Sequence, residues 1–70
     1  MSELTEMEKL RVLLPHWIEH NVEHMAGFRQ WAAKAKESGQ EAAAEQIEVA
    51  VERTEACNET LAAALEELEG

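Results

Sequence analysis

Residues 37–41 read ESGQE and form the clearest break in an otherwise helix-forming sequence. Gly39 can adopt the left-handed conformation that ends a helix. Ser38 with Glu41 matches the capping box that begins one. A connection this short requires the two helices to pack antiparallel. The sequence therefore predicts an all-α hairpin in a single domain, residues 1–70, with helix 1 over about 4–37, a turn at 38–40 and helix 2 over about 41–68.

Pro15 is the other interruption in the sequence. Proline lacks a backbone N–H and crowds the preceding helical turn, and it biases Leu14 away from helical conformation. We therefore expect a kink or a short break near Pro15, with the helix resuming at His16. Thr5 with Glu8 is a candidate capping box for the start of helix 1.

The composition argues against several classes of protein. The 70 residues include 15 acidic and 6 basic side chains, for a net charge of −9, which opposes nucleic-acid binding. No run approaches the roughly 18 apolar residues of a membrane span, and the opening MSELTEMEKL is too acidic for a signal peptide. One cysteine cannot form a disulfide within the chain. A free thiol without an export signal predicts a cytoplasmic protein.

Both halves of the chain show alternating spacings of four and three residues, which predict one stripe on each helix. The stripe of helix 1 is Leu10, Leu14, Trp17, Asn21, His24, Phe28, Trp31 and Ala35, and that of helix 2 is Ala43, Ile47, Ala50, Thr54, Cys57, Leu61, Ala64 and Leu68. The apolar arc of helix 1 is too wide for the alanine-rich helix 2 to cover. We therefore expect a homodimer in which two hairpins form a four-helix bundle. A partner protein would cover the same surface equally well.

The histidines are the most informative functional feature, because all three lie four residues apart at His16, His20 and His24. This spacing stacks the imidazoles along one side of a helix, and a pair at i and i+4 can share one metal ion. A turn centred near residue 39 also places Cys57 and Thr54 opposite this region. The sequence thus predicts a polar layer of His20, Asn21, His24, Thr54 and Cys57, with Arg53 and Asn58 at its edge.

Imidazoles with a thiolate suit a transition metal ion, zinc above all, with Ni, Co, Cu or Fe as alternatives. The predicted metal ligands are His16, His20, His24 and Cys57. Haem held by His24 of each subunit is a second option, although the C-x-x-C-H attachment motif is absent from the sequence. Two interpretations without a metal remain as alternatives. One is an oligomerisation or protein-interaction module whose polar layer fixes the register, and the other is a histidine pH switch.

Catalysis has weaker support in the sequence. H-x-x-E-H, the inverzincin protease signature, occurs at residues 16–20 and 20–24. Those enzymes also need a distant acidic ligand and a substrate cleft, which a short hairpin does not provide. The Glu-x-x-His pairs of di-iron bundles are absent from the sequence. We therefore expect metal handling or sensing before catalysis, and a small metal-dependent enzyme stays open as a third class that would need an open coordination position and a pocket.

Residues 13–24, LLPHWIEHNVEH, resemble a motif of short, uncharacterised prokaryotic helical-hairpin proteins. The resemblance spans most of the chain and implies the hairpin fold. It implies no established activity and carries over no catalytic residue.

Overall fold

The computed structural model describes residues 4–69 as two antiparallel α-helices packed side by side. Helix α1 is Glu6–Glu37 and helix α2 is Glu41–Glu69. The molecule is an elongated rod with extents of 58 × 22 × 12 Å. The all-α hairpin predicted from the sequence is confirmed. In the described part of the chain, neither helix has an apolar segment long enough to cross a membrane.

Helix α1 begins with the capping box predicted at Thr5 and Glu8. The Glu8 backbone N–H donates to Thr5 Oγ1 over 3.1 Å, and the Thr5 backbone N–H donates to Glu8 Oε1 over 2.9 Å. The hydrogen bond from the Thr5 backbone, followed by that of its side chain, lowers the pKa of the Glu8 carboxyl. Two donors at the helix start thereby gain acceptors from side chains.

The turn is built around Gly39, whose φ of 81° is the left-handed conformation expected from the sequence. The Gln40 backbone N–H donates to the Ala35 carbonyl over 2.8 Å, which satisfies an acceptor at the helix end. The capping box expected from Ser38 and Glu41 is wrong, because Ser38 is the C-cap of α1. The chain needs two more residues to reverse direction, so α2 begins at Glu41.

The break expected near Pro15 is absent, since α1 continues through this residue. Proline removes one backbone hydrogen bond at a cost of about 3 kcal/mol relative to alanine. Leu14 is only 3% exposed beside it, and Leu10 and Ile18 are half-buried. Packing of these side chains against α2 offsets the lost hydrogen bond and keeps the helix continuous.

The α1 stripe that packs against α2 differs from the predicted one by a rotation of the helix. Trp17, His24 and Trp31 are exposed, and the next residue along takes the inner position in each case. The observed stripe is Leu14, Ile18, Asn21, Met25, Phe28, Ala32 and Ala35. Both stripes have spacings of four and three, because they share Leu14, Asn21, Phe28 and Ala35 and differ by one residue at the three positions between them. Two helices in close contact accommodate Ala32, which is 3% exposed, better than a tryptophan.

Helix α2 shows the matching rotation. Ile47, Ala50, Thr54, Leu61 and Leu68 hold their predicted inner positions, whereas Ala43, Cys57 and Ala64 are exposed and give way to Ala44, Asn58 and Leu65. Leucine at residue 65 buries more apolar surface than the alanine before it. The pairing is fixed near the middle by Asn21 and Asn58, whose side chains are 2.8 Å apart.

Candidate metal site

His20 and His24 lie one turn apart on the exposed side of α1. Their Nε2 atoms are 2.9 Å apart, and the rings meet edge to face with centroids 4.5 Å apart. A tetrahedral zinc ion with Zn–N bonds of about 2.0–2.1 Å separates two ligand nitrogens by about 3.3 Å. The observed separation of 2.9 Å is a hydrogen-bond distance, so the two nitrogens would have to move apart by about 0.4 Å to share a zinc ion. Both residues lie within α1, one turn apart, so a single helix positions their backbones.

A shallow groove of about 330 Å³ extends from the histidine pair toward the turn, lined by His20, Glu23, His24, Gly27, Phe28 and Trp31. The His24 ring packs against Phe28 with centroids 5.8 Å apart. A Cβ atom at Gly27 would meet nothing within 4 Å. The missing side chain of Gly27 thus leaves the middle of the groove open.

The other two predicted ligands are not gathered at this point. His16 is exposed one turn before His20, and Cys57 is an exposed free thiol on α2. Among residues 4–69, no three His, Cys, Asp or Glu side chains lie close enough together to hold a metal ion. Of the four predicted ligands, the structure therefore brings together only the imidazoles of His20 and His24.

A family described as "Domain of unknown function (DUF8180)" matches residues 10–68, which include most of both helices, the turn and the histidine pair. The chain belongs to this family. Membership in DUF8180 agrees with the resemblance to uncharacterised proteins. Neither a curated protein nor a solved structure matches the chain.

The polar layer of this DUF8180 member has a different composition from the predicted one. His20, His24 and Cys57 are exposed, and Asn58, expected at the edge, faces Asn21 within the hairpin. The Thr54 hydroxyl donates to the Ala50 carbonyl of its own helix over 2.7 Å. The histidines are therefore separate from the layer that joins the two helices.

The sequence predicted Trp31 in the core of the DUF8180 hairpin, whereas it lines the groove; Phe28 is half-buried in the inner stripe as predicted and also borders the groove. Trp31 is 63% exposed, and the Lys34 ammonium lies 4.3 Å from its ring centroid. The spacing of His20, His24, Gly27 and Trp31, in steps of four, three and four, places them on one side of α1. That spacing shows that the four residues share one side of α1, but it does not show which side packs against α2.

Proposed function

We propose that this protein binds a transition metal ion through His20 and His24, as a cytoplasmic homodimer that handles or senses the metal. The observation that carries the proposal is the 2.9 Å separation of the two Nε2 atoms on the exposed side of a continuous helix. Neutral imidazole nitrogen is a good ligand for zinc and also for copper, nickel and iron. Zinc is the preferred ion because it tolerates tetrahedral sites built from few protein ligands.

A homodimer completes the coordination shell. One chain supplies two imidazoles, and a second copy supplies two more, which gives the four nitrogens of a tetrahedral site. His16 and Cys57 are exposed, so both are free to take part once a second chain is present. We include them as secondary ligands of the proposed site. The free thiol also supports a reducing, cytoplasmic setting.

The surface beside the histidines supports assembly. Leu13, Trp17 and Trp31 are 41%, 42% and 63% exposed, although each is large and apolar or aromatic. Exposed apolar surface next to polar groups marks interaction sites in soluble proteins. Aromatic residues are also enriched at the centres of protein interfaces.

The second candidate function is a metal-free oligomerisation or protein-interaction module. It is favoured by the half-buried Asn21–Asn58 hydrogen bond of 2.8 Å between the helices. A buried asparagine pair specifies register and assembly state in coiled coils. In this reading the histidines contribute imidazole surface to a protein contact and no metal binds.

Zinc titration by isothermal calorimetry, together with elemental analysis of untagged protein purified without chelators, tests the proposal. We expect stoichiometric zinc in the wild type, and for each of His20→Ala and His24→Ala a loss of affinity greater than the roughly 10–100-fold that follows from removing a hydrogen-bond partner of a metal ligand. Gln30→Ala, an exposed change elsewhere on α1, is the matched control and should bind as the wild type does. The variants His16→Ala and Cys57→Ser measure how much each secondary ligand contributes to the zinc affinity.

Circular dichroism of every variant confirms that the hairpin is intact, which is expected because both histidines are exposed. If the wild type takes up no Zn, Ni, Co, Cu or Fe(II), the proposed function is wrong. It is equally wrong if the His20→Ala/His24→Ala double variant binds metal as tightly as the wild type. Either result leaves the metal-free module as the better account.

A further inference from the structure

A second stripe of side chains follows α1, one residue before the stripe that packs against α2. We call it the histidine face, and its members are Leu13, Trp17, His20, His24, Gly27 and Trp31. Gly27 is half-buried and the other five are exposed. The spacing alternates between four and three, as in the seam of a coiled coil. Helix α1 thus carries two adjacent seams, and α2 covers one of them.

The histidine face is arranged symmetrically about residue 22. Leu13 and Trp31, Trp17 and Gly27, and His20 and His24 are three pairs whose members are equally far from that position. In an interface with two-fold symmetry, one member of each pair in the first copy contacts the other member of that pair in the second copy. Residue 22 is close to the middle of α1, so two antiparallel α1 helices paired about that position lie side by side along their whole length.

We propose that a second copy of this chain covers the histidine face, with the two α1 helices antiparallel about a two-fold axis at the level of residue 22. The inference rests on the proposed function for the existence of a homodimer, but it does not depend on the metal. It assigns the surface of assembly, the direction of the helices and the residues in contact.

Shape complementarity supports this pairing. The arrangement places the large Trp17 of one copy over Gly27 of the other. The groove at Gly27 has a volume of about 330 Å³, and the position of its missing Cβ is clear of other atoms to 4 Å. Trp17 is 42% exposed in the hairpin alone and is free to enter that groove. A buried tryptophan in a fitted pocket is a common source of interface affinity.

Charge complementarity supports the antiparallel direction. The first turn of α1 carries Glu6 and Glu8 together with Lys9, and its last turn carries Lys34 and Lys36 together with Glu37, which leaves a net negative and a net positive end. Antiparallel pairing about residue 22 places the acidic turn of each copy beside the basic turn of the other. Parallel pairing of the same two helices would instead place like charges together, which is unfavourable.

The same pairing completes the metal site. His20 of each copy faces His24 of the other, so four imidazoles meet at the axis. The Glu23 carboxylates border the same groove and approach the axis as well. A divalent cation at this point satisfies the imidazole nitrogens and compensates the acidic charge. The expected ratio is therefore one metal ion per two chains, shared across the interface.

Cys57 on helix α2 can report the position of the two-fold axis. The Asn21–Asn58 hydrogen bond places residue 22 of α1 at the level of Cys57 on α2. Cys57 lies on the side of α2 that adjoins the histidine face, judged from a rotation of about 100° per residue. Ala50 and Ala64 lie seven residues to either side, and their small side chains allow two α2 helices to approach closely. The pairing thus places the Cys57 thiols of the two copies next to each other.

An exchange of large and small residues tests the contact between Trp17 and Gly27. Sedimentation velocity in EDTA measures dimer formation by the wild type, Trp17→Ala, Gly27→Trp and the variant with both changes. We expect a dimer in the wild type, a loss of about 30-fold in association for each single change, and recovery in the double variant. Ala26→Trp adds a tryptophan to an exposed position outside the face and should leave the dimer unchanged.

Circular dichroism checks that each variant retains the hairpin, which the open space at Gly27 and the exposure of Trp17 allow. A wild type that stays monomeric in EDTA at the concentrations of the metal titration overturns the inference. Failure of the folded double variant to recover association also overturns it, because the two-fold axis requires these residues to be in contact.

Oxidation of Cys57 tests the position of the axis. We expect diamide to convert the native dimer into a disulfide-linked dimer, because thiols on facing helices come within the required range. Glu52→Cys in a Cys57→Ser background places the thiol off the face and should not cross-link. A stable dimer whose Cys57 thiols do not cross-link supports α1 against α2 of the second copy and overturns the proposed pairing.

The two proposals can fail separately. A dimer that passes the exchange test in EDTA but takes up no metal removes the proposed function and leaves this interface intact. Metal bound by a monomer through His20 and His24 overturns this interface and the homodimer of the proposed function, and leaves only the two metal ligands in place.

Discussion

The side-chain amide of Asn21 donates a hydrogen bond of 2.8 Å to Oδ1 of Asn58, which joins the centres of the two helices. Asn58 Nδ2 donates in turn to the backbone carbonyl of Ile18 over 3.2 Å. Both asparagines are half-buried among apolar residues, so each polar atom used in these bonds is partly shielded from water. The pair holds α1 and α2 in a single register, since sliding either helix would break both hydrogen bonds.

Replacing one member of this pair should destabilise the hairpin. In Asn58→Ala the Asn21 amide loses its acceptor, and we expect the free energy of unfolding to fall by about 1–2 kcal/mol. Urea denaturation followed by circular dichroism measures the change. Thr60→Ala, whose exposed hydroxyl bonds only within its own helix, is the control and should lie within about 0.5 kcal/mol of the wild type. Equal stability of Asn58→Ala and the wild type would show that the pair has no structural role.

The rotation of the two helices is the part of the fold that sequence reasoning did not predict. Gly39 gave the position of the turn, and the spacing of four and three gave two helices with apolar stripes. A stripe with this spacing, however, can contain either Trp17 or Ile18. Choosing between them depends on which side chains fit between closely packed helices, and that is a property of the pair and not of either sequence segment.

The same one-residue error in the rotation of the helices explains why only part of the candidate site was predicted correctly. The spacing of His20 and His24 correctly predicted two imidazoles on one side of a helix, because that depends on α1 alone. The position of Cys57 depends on the rotation of α2, and the structure places Asn58 in the inner position instead. The spacing of two side chains on one helix could therefore be read from the sequence, whereas the rotation of each helix toward its partner could not.

Gly39 should be sensitive to substitution although its surroundings are open. A Cβ at this position would meet nothing within 4 Å, so the cost lies in the backbone, where φ is 81°. We expect Gly39→Ala to lower the free energy of unfolding by about 1–2 kcal/mol. Gly39→Asn should lose less, because asparagine tolerates the left-handed conformation. Thermal unfolding ranks the three proteins, and a ranking with alanine at or above glycine would contradict the argument.

Replacing Pro15 should have the opposite effect, namely a rise in the free energy of unfolding. The residue is exposed within a continuous helix, so its replacement removes little packing and restores a backbone donor. We expect Pro15→Ala to raise the free energy of unfolding by up to about 3 kcal/mol. Urea denaturation measures the gain against Gln30→Ala, an exposed change on the same helix that involves no proline. No gain in Pro15→Ala would mean that proline contributes a contact or a bend that the hairpin needs.

The start of α1 should depend on pH through Glu8. Its carboxylate accepts the Thr5 backbone N–H, which lowers the pKa of Glu8 in the folded chain below the usual range of a glutamate. A depressed pKa means that the capping box stabilises the helix above the unfolded-state pKa and is lost as the pH falls through the folded one. In an NMR titration, we expect the Thr5 amide resonance to shift together with the Glu8 carboxyl resonance. Glu8→Gln keeps a neutral acceptor and should make the Thr5 resonance independent of acid, and a Thr5 resonance that still titrates in that variant would show that another group controls the cap.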